Sequence, residues 1–195
     1  MKTVLLADMD RFSNAIVESA EKLLRVAAGT EQVESADAID SLIAGTWWVN
    51  VDALWDRAPL DLLVTGGNLS LLTNPNLVQE LAALQVAIER VKLHYRNDVR
   101  FYSDVMNPFL IANANKAQIA ARLRHRPGEP GTTYSAPDLG FTNVRNHSDL
   151  LSNIEFQNIL VTKIDTLSDI LVIGHPDVEK HLVLVIQMLE DTLDQ

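Results

Sequence analysis

The sequence predicts an all-α fold, an antiparallel helical bundle, and three observations predict it. Every long segment repeats its apolar residues at steps of three and four, the period of one helix face. Alternating β-branched runs closed by hairpin turns are missing. Gly at 8 and Pro at 7 in 195 residues are sparse enough to leave room for long regular elements. A chain of this length can enclose one sizeable core. The expectation is therefore a single helical domain over residues 1–195, with one long helix near its middle and a Pro/Gly-rich loop at about 124–146.

Taken in order, Leu5, Met9, Phe12, Ile16, Leu23 and Ala27 form the first stripe, with a gap around Ser19 and Ala20, and Gly29 ends it. The opposite face carries Asp8, Asp10, Glu18, Glu21, Lys22 and Arg25 and reads as solvated. A period near 3.5 suits a seam packed against neighbouring helices. Ser35 can cap a short helix over 36–44, with Asp37 and Asp40 favouring its positive end and Gly45 closing it. Trp47, Trp48, Val49, Val51, Leu54 and Trp55 then form the most aromatic stretch. Asp52 can start a further helix, Pro59 restarts one over 60–65, and Gly66 with Gly67 stops it.

Thr73, Asn74 and Pro75 supply a cap followed by a first-turn proline. Leu77, Leu81, Leu84, Ile88, Val91, Tyr95, Val99, Tyr102 and Met106 keep the helical step from there. Asn107 and Pro108 predict a kink or short break before a further apolar segment over 109–123, because proline lacks a donor and crowds the preceding turn. Pro127, Gly128, Pro130, Gly131, Pro137 and Gly140 mark the loop. A capping box from Ser152 to Glu155 opens a helix with Phe156, Ile159, Leu160, Ile164, Leu167 and Leu171 inward. Gly174, His175 and Pro176 predict a turn, and residues 177–193 close the chain with Val178, Leu182, Val185, Leu189 and Leu193 on one stripe.

An internal echo links two of these helix starts. Leu71, Leu72, Thr73, Asn74, Pro75 and Leu77 run parallel to Leu150, Leu151, Ser152, Asn153, Ile154 and Phe156. Each reads as two leucines ending a short helix, a hydroxyl–Asn cap pair, and a large apolar residue just inside the next helix. The block from Asp61 to Leu77, with Gly66, Gly67, Asn68, Leu69, Leu72 and Asn74, resembles a signature of small uncharacterised bacterial proteins. Glu155, Phe156, Gln157 and Asn158 are similar to a second block of that group. Such proteins carry one N-terminal membrane helix, then a long polar helix, then a helical soluble region. This chain departs from the group in lacking the membrane helix and in placing Val78 and Gln157 where the group usually has Arg. What the resemblance implies is a membrane-tethered helical module at the periplasmic face of the inner membrane, a sensor or scaffold rather than an enzyme.

Composition narrows function further. Sixteen Lys+Arg against 26 Asp+Glu give a formal net charge of -10, so nucleic acid is not expected as a partner, since phosphates call for a positive surface. Zero Cys removes thiolate metal sites, disulfides and a Cys nucleophile. No segment approaches the ~18 apolar residues of a membrane span, and the chain reads as soluble as given. Among five histidines none sits in His-Glu-x-x-His, and phosphate-cradling glycine loops and a G-x-S-x-G elbow are absent. His94 with Asp98, and Asp177 with His181, share a helix face at i,i+4, a spacing more often an ion pair than half a metal site. No metal or cofactor is expected.

Two clusters remain as contact candidates. Trp47, Trp48 and Trp55 either pack a helical corner or anchor a ligand or partner. Arg122, Arg124 and Arg126, with His125 among them, either complement a helix C-terminus or meet an anionic ligand, lipid headgroup or acidic partner. The expected function is a non-enzymatic sensor or protein-interaction module binding a small ligand or a protein. The alternatives are an oligomeric scaffold dimerising through the first helix, and an enzyme built from dispersed residues such as His94, Asp98 and His147.

Overall fold

The structure, a computed structural model, describes residues 2–47, 72, 74–123 and 147–193. Helices dominate these residues and they contain no strand, so the fold is an all-α bundle. The predicted helix starts at Asp52 and Pro59, the stop at Gly66 and Gly67 and the loop at 124–146 lie outside the described residues. Chain contacts divide into two compact units: Met1–Arg11, Val49–Asn97 and Asp169–Gln195 in one, Phe12–Trp48 and Asp98–Ser168 in the other.

The larger unit takes α1 (Lys2–Ala27) from Phe12 onward, then α2 (Ala36–Gly45). Gly29, at φ 71, ends α1: its N–H donates to Val26 O and that of Thr30 to Arg25 O, the paired closing bonds that a left-handed residue permits. The gap in the first stripe is filled by Ala20, fully buried. Small residues are needed because α2 lies close here. A Cβ on Gly45 would stand 2.5 Å from Ser19 Oγ.

Pro108 does not break its helix. After α3 (Pro75–Phe101) the backbone widens into a π-helical turn, Tyr102–Met106, in which Asn107 N–H reaches back five residues to Tyr102 O. The ring then sits in the first turn of α4 (Asn107–Asn113), where a missing donor leaves no bond unmade. The break comes later, at Ala114, whose backbone is extended before α5 (Lys116–Leu123). Helices α6 (His147–Ser152) and α7 (Ile154–Asp169) complete this unit, Leu150 and Leu151 packing with Phe156, Ile159 and Leu160 in its core. Phe109 stacks on Phe156 with centroids 5.8 Å apart.

The cap of α7 is Asn153, a residue later than the predicted box. Its Oδ1 accepts from Glu155 N at 2.8 Å, while the Ser152 hydroxyl donates to Asp149 O. Asn74 treats Asn76 N and Leu77 N the same way, so the two helix starts share one cap geometry.

In the other unit Leu77, Leu81, Leu84, Ile88 and Val91 of α3 are buried as predicted. The turn expected at Gly174–Pro176 is replaced by a second π-helical turn, Ile170–Gly174, running straight into α8 (His175–Leu193) with His175 N–H bonded to Ile170 O. Gly174 is required for close approach, since a Cβ there would lie 2.9 Å from Val91 Cγ2. Val178 and Val185 face inward on α8, whereas Leu189, assigned to the same stripe, is exposed. No described helix is long and apolar enough to cross a membrane.

Candidate functional site

The polar groups buried in the two cores are largely consumed by one another. Lys163 is fully buried and donates to both carboxylate oxygens of Asp98, at 2.6 and 2.7 Å. Burial raises the Asp98 carboxyl against the pull of the Lys163 ammonium. It lowers the Lys163 ammonium against the pull of Asp98. Each charged form is disfavoured by desolvation and favoured by its partner. Sequence periodicity placed Val99 and Ile164 inward at these positions; both are half-buried, and the charged neighbours take the core.

His175 is buried between the Asp10 carboxylate at Nδ1 and the Tyr95 hydroxyl, 3.1 Å from Nε2, so both ring nitrogens are engaged. His181 contacts Glu80 at 2.7 Å and Asp177 at 3.6 Å, and Asp177 also receives Arg90 at 3.2 Å. The Asp177–His181 spacing thus joins a cluster of polar contacts on one helix face. Asp40, expected to support the positive end of α2, is buried and held by His147 Nε2 at 2.8 Å. Asp98 and His147, joined in the enzyme alternative, therefore belong to separate pairs, and His94 is half-buried on α3. No group of three or more metal-ligating side chains occurs among the described residues.

One corner differs. At the end of α2 the Thr46 hydroxyl donates to Ile43 O at 2.7 Å and the Trp47 N–H to Ala44 O, turning the indole back onto the core. Its ring packs on Tyr102 at 5.5 Å, tilted by 48°. Burial pushes the Tyr102 phenol up, so it is a neutral group at ordinary pH. The Lys116 Nζ stands 6.0 Å from the Trp47 centroid and donates to Asn107 Oδ1. The π turn explains how two of these residues meet: it sets Tyr102 and Asn107 one hydrogen-bonded turn apart. Among the described residues, Trp47 Nε1 is the one shielded side-chain donor or acceptor with no hydrogen-bond partner.

The predicted contact residues fall unevenly. Trp47 is at the corner, and Arg122 lies on α5, the helix packed against α2. Trp48, Trp55, Arg124 and Arg126 lie outside the described residues, as do Gly66, Gly67 and Asn68 of the structural motif. Asn74, Pro75, Asn153 and Glu155 shape helix starts. Lys116, Asn107 and Tyr102 were missed, although a lysine following Asn115 at a helix start, eight residues past a proline, was visible in the sequence. No family model, curated protein or solved structure matches the chain.

Proposed function

We propose that the chain is a non-catalytic helical binding module, a sensor or interaction domain, whose recognition element is the Trp47 corner. The observation that supports this reading is the shielded indole N–H without an acceptor. A buried donor left unpaired costs about 1–3 kcal/mol, and native structures keep few of them. A guest bearing an acceptor atom removes that cost on binding. Two buried polar pairs elsewhere already satisfy themselves: Asp98 with Lys163, His147 with Asp40.

A route for signalling follows from the packing. Trp47 is two residues from Gly45, which leaves no room for a side chain against Ser19 of α1. A shift of the Trp47 segment therefore bears on α1. In the tethered arrangement that the family resemblance implies, α1 hands that shift to a membrane anchor. The test is a thermal-shift screen of metabolite-sized compounds on the wild type and on Trp47→Phe, with circular dichroism confirming that both fold. Compounds should raise the wild-type Tm and leave the variant unchanged. A screen in which no compound distinguishes the two chains contradicts the reading.

A further inference from the structure

The same corner points to a class of guest, and this step rests on the binding reading above. We propose that it takes a small carboxylate, one oxygen accepting the Trp47 indole N–H and the Lys116 ammonium balancing the charge. Lys116 contacts Asn107 Oδ1 and the face of Trp47, both neutral, and has no carboxylate partner among the described residues. The chain as a whole repels anions with its net charge of -10, so attraction must be local, and this ammonium supplies it.

A phosphate fits less well. Phosphate sites draw on several converging donors, an Arg fork or the free N–H groups of a helix start. Here Asn115 Oδ1 already accepts from Gln118 N at the start of α5. One neutral donor on a ring with one ammonium over it matches a singly charged group. The half-buried Trp47 ring, packed on Tyr102, is the apolar surface at this corner.

Three tryptophans give three indole N–H signals in a nitrogen-15 spectrum, and loss of one in Trp47→Phe assigns Trp47. Sodium acetate and sodium benzoate are titrated beside sodium chloride and sodium phosphate at constant ionic strength. The Trp47 signal should move downfield and saturate with the carboxylates and stay put with chloride. Lys116→Met should weaken the response about tenfold, and Lys116→Arg should keep it. A signal unmoved by both carboxylates overturns the proposal, as does undiminished binding in Lys116→Met. A stronger response to phosphate overturns the choice of carboxylate. If the carboxylates fail while some screened compound still separates wild type from Trp47→Phe, the guest class falls and the binding reading stands.

Discussion

Lys163 and Asp98 are the residues that most constrain this fold. Two unit charges in a dry interior hold only because each answers the other and both Asp98 oxygens are occupied. Lys163→Met alone strands a buried carboxylate and should cost about 3–5 kcal/mol in denaturant unfolding, whereas Asp98→Leu with Lys163→Met should recover most of it. The pH dependence has a definite sign. Burial raises Asp98, so its contribution to stability is present below the unfolded value and lost as pH rises through the raised one. Burial lowers Lys163, so its contribution is present above the unfolded value and lost as pH falls through the lowered one. Relative to the doubly apolar variant, the wild type should lose stability as pH rises from about 4 and regain it toward about 10. A wild type that gains over the acid range contradicts this. The pair was legible in principle: an acid and a base each sit at a stripe position, after Tyr95 in α3 and after Leu160 in α7. Periodicity alone moved both stripes one residue aside to keep charge out of the core.

At the scale of elements, the sequence marks the helix starts at Ser35, Asn74 and Asn153 to within a residue, whereas its prolines mislead. The Ser152 box and the observed Asn153 cap use adjacent polar residues, and only coordinates show which oxygen faces the free N–H groups. Asn153→Ala should cost about 1 kcal/mol in unfolding free energy and Ser152→Ala near zero; the reverse order would restore the sequence-based box. Pro108 and Pro176 were expected to interrupt helices. Both follow a π-helical turn that absorbs the ring, so the backbone stays helical through them. A widened turn leaves little mark on composition, although Gly174 beside Val91 hints at close approach.

For the whole molecule, the all-α class was legible because helical period is written into every long segment. The two compact units are less legible, because three of their divisions fall inside α1, α3 and α7, where no linker marks them. Of the candidate site, Trp47 was legible through aromatic density, while Lys116 and Tyr102 join it through packing that the sequence does not display. The central claim is that the Trp47 indole N–H is left unpaired in the free protein, kept for a guest at a cost to stability. The unfolding free energy of ligand-free Trp47→Phe tests it most directly. Removing an unpaired donor offsets the lost ring area, so the variant should match or exceed the wild type. A loss beyond about 2 kcal/mol, the signature of a well-satisfied buried aromatic, would contradict the claim.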